Sequence, residues 1–173
     1  MAVLKNDKKP AWPPELPDAE TPIFITWKKD GDLRGCIGTF SADRVSKLIP
    51  EYSITSAMKD SRFDPVAIEE VPSLTVHVSL LVNFTEQPDI YQWEIGKHGI
   101  IIKSVYKGKH YSGTFLPEVA SEQKWTKEET LSHLIRKAGF FGKLEEIASS
   151  IKLTTYESSK ERMTYAEYQK YEL

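Results

Sequence analysis

The chain has 173 residues and a mass of 19.8 kDa, a length typical of one domain. It is 40% hydrophobic and 28% charged, which excludes a wholly disordered, collagen-like or coiled-coil protein. The 23 basic and 25 acidic residues are spread over both halves, so no basic region is available to coat a phosphate backbone, and a nucleic-acid partner is not expected.

The first 21 residues form a proline-rich segment, with prolines at positions 10, 13, 14 and 17. Proline removes a backbone donor and disfavours helix in the residue before it, so this segment is predicted to be extended. Residues 22–173 contain no linker, low-complexity tract or short-period repeat. They are predicted to form a single domain.

A hairpin is predicted at the start of that domain. Ile23–Trp27 is apolar on both faces, which is typical of a buried strand, and Leu33–Phe40 is the returning strand. The Asp30-Gly31 pair between them is a strong signal for a tight turn.

A helix and a long strand are predicted next. Ser41 is predicted to cap the helix, which continues to Lys59, with Pro50 either in the first turn of a new helix or at a kink. Leu74–Phe84 alternates apolar and polar residues with a period of two, the pattern of a strand with one buried face.

The second half predicts a further hairpin, helices and a last strand. Its predicted elements are strands Ile100–Val105 and Tyr111–Leu116, a helix from Thr126 to Gly139, a short helix Leu144–Ser149, a strand Ile151–Tyr156 and a helical tail Tyr165–Tyr171. Thr126 and Glu129 have the spacing of a capping box, and Gly139 suits a left-handed helix end. Tight hairpins with helices grouped between them predict an α+β fold, an antiparallel sheet flanked by helices.

The most unusual local feature is the hexapeptide Leu33–Gly38, which contains the single cysteine. In an extended strand Arg34 and Cys36 point to the same face, where a cation beside a thiol favours the reactive thiolate. Gly35 and Gly38 leave bare backbone that a ligand can approach closely. The alternative, which residue types alone favour, is that Cys36 is a small buried residue and the glycines serve turns or bulges.

A second polar cluster follows the predicted helix and ends at Pro65. It contains Lys59, Asp60, Arg62 and Asp64. Most clusters of this kind are solvated and paired among themselves. The functional alternative is that Lys59 or Arg62 points an anion-binding group into a cleft. The sequence alone does not pair any two of the carboxylates Asp60, Asp64, Glu69, Glu70 and Glu118.

Signals for metals, nucleotides and membranes are weak. One cysteine cannot form an internal disulfide or a cysteine-based zinc site, and no two histidines have the spacing of a helical metal site. The chain has no Walker loop or dinucleotide fingerprint, no apolar run of about 18 residues and no signal-peptide core. We therefore expect no metal, cofactor or membrane association, and a cytoplasmic or nuclear location.

Taken with Thr39, the hexapeptide resembles the hallmark of the AMMECR domain family. Five further blocks resemble the family in the expected order: Ser56–Phe63, Val78–Leu81, Gly96–Ile100, Leu116–Ala120 and Leu134–Gly139. Together the blocks span about residues 22–170, and their amino-acid sequences are most similar to those of the eukaryotic branch.

The resemblance implies an α+β fold built from two β-β-β-α-α repeats. It also implies a helix before the first strand, where this chain has the proline-rich segment instead. Family members have no established reaction. In prokaryotes the domain is encoded near, or fused to, a Memo-type protein and occurs beside a radical-SAM protein, which implies a shared pathway but no particular chemistry.

Two hypotheses about function remain open. In the first, the chain is an enzyme or a small-molecule-binding protein with a polar cleft around the hexapeptide. In the second, it is a non-catalytic module that binds a protein partner, and the hexapeptide is structural. For the first hypothesis, the candidate residues are Cys36, Glu118 and His98 for catalysis, and Arg34, Gly35, Gly38, Lys59, Asp60 and Arg62 for ligand binding.

Overall fold

The computed structural model of the chain describes residues 11–171 and contains an antiparallel sheet with several helices. The strands of the described residues are β1 (Glu20–Lys29), β2 (Asp32–Arg44), β3 (Leu74–Gln87), β4 (Gly99–Tyr106), β5 (Lys109–Phe115) and β6 (Ile151–Thr164). Their order in the sheet is β2-β1-β3-β6-β4-β5, which places β2 at an edge. The predicted α+β fold class is therefore confirmed, whereas the two-repeat construction stays a prediction.

The helices of the described residues lie between and after these strands. They are α1 (Val45–Met58), α2 (Pro117–Glu122), α3 (Lys127–Lys137), α4 (Leu144–Ile147) and α5 (Tyr165–Tyr168), with 3₁₀ helices at Ile68–Ser73 and Ala148–Ser150. Within residues 11–171, none of the helices combines the length and the apolar character that crossing a membrane requires.

The chain divides into two compact units. Unit 1 contains the described residues up to Leu80 and those from Ser159 onward, and unit 2 is Leu81–Ser158. The prediction of a proline-rich extended segment over 1–21 and one domain over 22–173 stays a prediction. Residues 1–10 of that segment, and residues 172–173, lie outside the described residues.

The first hairpin forms as its sequence predicts. Asp30 and Gly31 both have left-handed backbone angles, with φ of 51° and 94°, which a two-residue turn of this twist requires. Ile23 and Ile25 of β1 are fully buried and pack in one cluster with Val45 of α1. Since side chains alternate along a strand, one face of this hairpin is covered by α1.

The predicted helix cap at Ser41 is wrong. β2 continues to Arg44, because Asp43 and Arg44 pair with Thr21 and Glu20 of β1. The helix begins only at Val45, and it is one continuous helix with Pro50 inside it. A second helix beginning at Pro50 is therefore not observed.

Unit 2 has its own core between a hairpin and α3. The capping box of Thr126 and Glu129 is confirmed, and Gly139 adopts a left-handed φ of 93° just after the helix. Leu131 and Leu134 of α3 are fully buried in the same cluster as Ile102 of β4. These buried leucines form the apolar stripe that packs α3 against the core of unit 2.

The predicted end of the last strand is wrong. β6 continues past Tyr156 to Thr164, and the helical tail is correspondingly short, Tyr165–Tyr168. The second half of β6 is mostly polar and exposed, so it lacks the apolar alternation that marks a strand in a sequence. Its strand conformation depends on its neighbours in the sheet.

Candidate functional site

Cys36 lies in a row of polar side chains on unit 1. The register places Cys36 of β2 opposite Thr26 of β1, and Thr26 opposite His77 of β3. All three side chains are half-buried, and the Thr26 hydroxyl donates a hydrogen bond of 3.1 Å to Sγ of Cys36. Residues directly opposite each other point to the same face of a sheet. We call these three residues the polar row.

The polar row lies on the face of the hairpin that α1 does not cover. Ile23 and Ile25 point toward α1. Phe24, Thr26 and Lys28 alternate with the core residues of β1 and so share the opposite face. We call this surface of unit 1, which carries the polar row, the open face.

Asp60 and Arg62 close the edge of β2 beside Cys36. The Asp60 carboxylate accepts the Cys36 backbone N–H at 2.9 Å and two guanidinium donors of Arg62, Nε at 2.9 Å and Nη2 at 2.6 Å. Arg62 Nη2 also donates to the Cys36 carbonyl at 3.1 Å. Both backbone groups of Cys36 are thus satisfied by side chains where a further strand would otherwise pair.

Asp60 is buried, whereas Arg62 is largely solvated. The Asp60 side chain is 3% exposed and that of Arg62 is 54% exposed. The hydrogen bonds from Arg62 hold the pKa of the Asp60 carboxyl well below its usual range, and the backbone N–H of Cys36 acts in the same direction. We call this arrangement of Cys36, Asp60 and Arg62 the Asp60 clamp.

Arg34 belongs to a second ion pair. Its Nε and Nη2 donate to the two carboxylate oxygens of Glu70 at 3.1 and 2.9 Å, and its Nη1 donates to the Asp64 carbonyl at 2.7 Å. Lys29 Nζ lies 3.0 Å from the same carboxylate. The Arg34 hydrogen bond is the largest of the effects that lower the pKa of Glu70 from 4.5 to about 2.

A bulge in β2 gives Arg34 its position. Trp27 pairs with Gly35 and Lys28 pairs with Leu33, so Arg34 is the extra residue between them. A bulge changes the direction of the side chain it carries. Arg34 therefore contacts the segment after α1 through Glu70 and Asp64, and the residues that neutralise it differ from those around Cys36.

The two glycines of the hexapeptide permit close backbone approach. A Cβ on Gly35 would lie 2.1 Å from the carbonyl oxygen of Ser56 in α1. A Cβ on Gly38 would lie 2.3 Å from the Ile23 carbonyl oxygen and 2.4 Å from the Phe24 ring. At these positions the glycines allow helix packing and ring packing, which is their structural use.

The remaining ligand-binding candidate of this group, Lys59, ends α1. Its backbone N–H donates to the Thr55 carbonyl, and its side chain is exposed. Sequence reasoning grouped Asp60 and Arg62 correctly as neighbours but assigned no partner to Glu70. In the sequence, Glu70 is only one of several carboxylates in this region. Nothing there indicates that it pairs with Arg34, which is 36 residues away.

The other two catalytic candidates lie in unit 2. His98 Nδ1 accepts the Glu94 backbone N–H at 2.9 Å, and its Nε2 lies 3.7 Å from a carboxylate oxygen of Glu157. Glu118 lies in the first turn of α2, and its charge adds to burial in raising the pKa of Tyr156 to about 12. Since Cys36 lies in unit 1, the joint action of Cys36, Glu118 and His98 stays a prediction.

In the part of the chain that the structure describes, no three or more His, Cys, Asp or Glu side chains are grouped so that they could hold a metal ion. The polar row instead presents one thiol, one hydroxyl and one imidazole, groups that donate and accept hydrogen bonds to a ligand.

Comparisons with known proteins agree with the resemblance of the sequence blocks. The sequence model described as AMMECR1 matches residues 2–161. An uncharacterized protein of Arabidopsis thaliana is 41% identical over 96% of this chain and 80% of its own length. An uncharacterized protein of Saccharomyces cerevisiae is 37% identical over 87% of this chain and 71% of its own length. The crystal structure of an uncharacterized protein from Pyrococcus horikoshii matches with a TM-score of 0.71 and 27% identity, covering 92% of this chain and 83% of that one.

Proposed function

This chain belongs to the AMMECR1 family, and from that premise we propose that it is a small-molecule-binding domain in which the hexapeptide shapes the binding surface and carries out no reaction itself. The observation that carries the proposal is the polar row of Cys36, Thr26 and His77 on the open face. Half-buried polar side chains on the face that α1 does not cover can donate and accept hydrogen bonds to a ligand.

The ion pairs support a structural role for the charged residues around the hexapeptide. Arg34 is neutralised by Glu70, and Arg62 is neutralised by Asp60. A guanidinium whose donors are already used has few left for an anionic substrate. The same contacts fix the backbone of β2, so they hold the side chains of the open face in their positions.

The position of Cys36 supports binding more than nucleophilic catalysis. Its sulfur accepts a hydrogen bond from Thr26, and the imidazole on this face, His77, is two strands away. Two strand spacings are about 10 Å, whereas a general base must lie within about 3 Å of the proton that it removes. Within unit 1, the polar row therefore resembles a binding surface more than a nucleophile with its base.

A protein-interaction module is the second candidate, because β2 is an edge strand with exposed apolar side chains. Leu33 is 43% exposed and Phe40 is 38% exposed. An edge strand can accept an extended segment of another protein by backbone hydrogen bonds. The Asp60 clamp already uses both backbone groups of Cys36, so such a segment would have to pair elsewhere along β2.

A fragment screen by backbone-amide NMR tests the proposal. We expect small molecules to perturb Thr26, Cys36 and His77 together in a saturable way. Thr26→Val, which keeps the shape and removes the hydroxyl, should weaken that binding. Thr154→Val on β6 is the matched control, since Thr154 is also half-buried on a strand and lies in unit 2. Saturable perturbations confined to unit 2, or none at all, would contradict the proposal.

A further inference from the structure

One end of the open face is positively charged. Lys28 pairs with Thr75 in the same register that pairs Thr26 with His77, so Lys28 and His77 are diagonal neighbours on one face. The second half of β6, the strand next to β3 in the sheet, contains Lys160 and Arg162, whose positive charges act on His77 after burial in lowering its pKa. We call Lys28, His77 and Arg162 the cationic end.

The positive charges of Lys28, Lys160 and Arg162 affect the pKa of His77. Burial is the first cause that lowers its pKa, followed by the positive charges of Lys28, Arg162 and Lys160. All the charged groups that shift His77 are thus cations. Arg162 also acts on a carboxylate, because its charge lowers the pKa of Glu167 after the hydrogen bonds that Glu167 makes with Thr164.

Two of these cations are not neutralised by ion pairs. Within residues 11–171, neither Lys28 nor Arg162 lies in a salt bridge, in contrast to Lys29, which pairs with Glu70. Lys28 is half-buried and Arg162 is exposed. Adjacent positive charges repel one another, so an anion at this place would relieve the repulsion.

The other end of the open face is aromatic. The Phe24 ring lies over Gly38, since a Cβ there would be 2.4 Å from the ring. Phe40 packs edge-on against Phe24, with ring centroids 5.2 Å apart and planes at 68°. Phe24 and Lys28 are four residues apart on β1, a backbone distance of about 13 Å that the lysine side chain can shorten.

We propose that the open face binds a small organic anion, with its phosphate or carboxylate group at Lys28 and Arg162 and a flat apolar ring against Phe24 and Phe40. The inference rests on the proposed function, because it assigns a ligand class to the same face. Thr26 and Cys36 of the polar row lie between the two ends, where they offer hydrogen bonds to the middle of the ligand. Charge complementarity selects an anion and the aromatic pair selects a ring.

Phenyl phosphate and benzyl alcohol provide a matched pair of probes, with the same ring and with or without the anionic group. In amide NMR titrations that follow Thr26 and His77, we expect phenyl phosphate to bind about tenfold or more tightly than benzyl alcohol. Inorganic phosphate, which lacks the ring, should bind more weakly than phenyl phosphate.

The outcomes separate this inference from the proposed function. Equal binding of both aromatic probes at the open face would overturn the anionic ligand class and leave a small-molecule-binding face in place. Inorganic phosphate binding as tightly as phenyl phosphate would overturn the role of the aromatic end. If neither aromatic probe binds at Thr26 and His77, the ligand class is contradicted, and the fragment screen decides whether the open face binds small molecules at all.

Charge-neutral variants locate the anion. Lys28→Gln and Arg162→Gln should each weaken phenyl phosphate binding by about fivefold, the loss of one charge-assisted contact. Lys103→Gln is the control, since Lys103 is an exposed strand lysine of unit 2. A similar loss in all three variants would mean non-specific attraction and would overturn the assignment. Arg162 is exposed, so its variant keeps the test informative even if Lys28→Gln folds poorly.

Discussion

Unit 1 contains two sets of cations in opposite electrostatic settings. Arg34 and Arg62 lie near the hexapeptide and are neutralised by Glu70 and Asp60, carboxylates whose side chains are only 17% and 3% exposed. Lys28 lies on the open face. After burial, which is the first cause, the charges of Lys28, Arg162 and Lys160 all lower the pKa of His77. The paired cations hold backbone in place. Lys28 and Arg162, which lie in no salt bridge within residues 11–171, are the cations that we propose contact a ligand.

The conspicuous part of the motif is therefore not the part of the surface that we propose binds a ligand. The Asp60 clamp joins β2 to the segment after α1 through the backbone of Cys36. Its charges are therefore used inside the protein. No sequence motif singles out Lys28, because its proposed role depends on residues of β3 and β6 that are distant in the chain.

The largest expected effect is on the Asp60 clamp. Asp60→Asn removes the charge that holds Arg62 and leaves a side-chain N–H₂ facing donors, so we expect the free energy of unfolding to fall by about 2–4 kcal/mol. Urea unfolding measures this change. Asp43→Asn is the matched control, since Asp43 pairs with Lys47 at a solvated surface and should show no measurable change. Equal stability of the two variants would show that the clamp is not structural.

A smaller effect is expected from Glu70, and it depends on pH. Its pKa is about 2 in the folded protein against 4.5 normally, so the unfolded state binds more protons in this range. The stabilisation from Glu70 is therefore complete above pH 4.5 and is lost as the pH falls toward 2.

Glu70→Gln should abolish this part of the acid dependence and lower the neutral-pH stability by about 1–3 kcal/mol. The low pKa of Asp60 also makes the protein less stable in acid, so Glu70 has to be separated from it. The measurement is the difference in free energy of unfolding between the wild type and Glu70→Gln, followed from neutral pH to pH 2. Parallel curves would mean that the Arg34–Glu70 pair does not stabilise the fold.

Local patterns in the sequence predicted the elements that local interactions form. The Asp30-Gly31 turn and the capping box of Thr126 need only neighbouring residues, and both were predicted correctly. The end of β2 at Arg44 and the second half of β6 were not, because pairing with distant strands keeps those polar residues extended. Tertiary context overrides propensity at such places.

The candidate site was predicted in the same partial way. The pattern around Cys36 predicted a strand, which is observed as β2, and Gly35 predicted a close approach, which is that of α1. The pairing of Cys36 with Asp60 spans 24 residues and that of Arg34 with Glu70 spans 36, distances at which periodicity says nothing about contact. The sequence alone could not predict the open face or its charge, because both depend on which strands are neighbours in the sheet.

The smallest effect on stability is expected at the cationic end. Lys28→Gln removes a positive charge that lies in no salt bridge with the described residues, so the free energy of unfolding should change by less than about 0.5 kcal/mol. The pKa of His77 should nevertheless rise, because Lys28 is one of the charges that disfavour its protonated form.

Imidazole NMR signals followed against pH measure this rise, with Lys103→Gln as the control that should leave His77 unchanged. The rise should be partial, since burial of His77 is the larger cause of its low pKa and remains in the variant. A His77 pKa that does not move would mean that Lys28 points away from the open face. The contrast between paired and unpaired cations would then rest on Arg162, and the anion would have to bind nearer to β6.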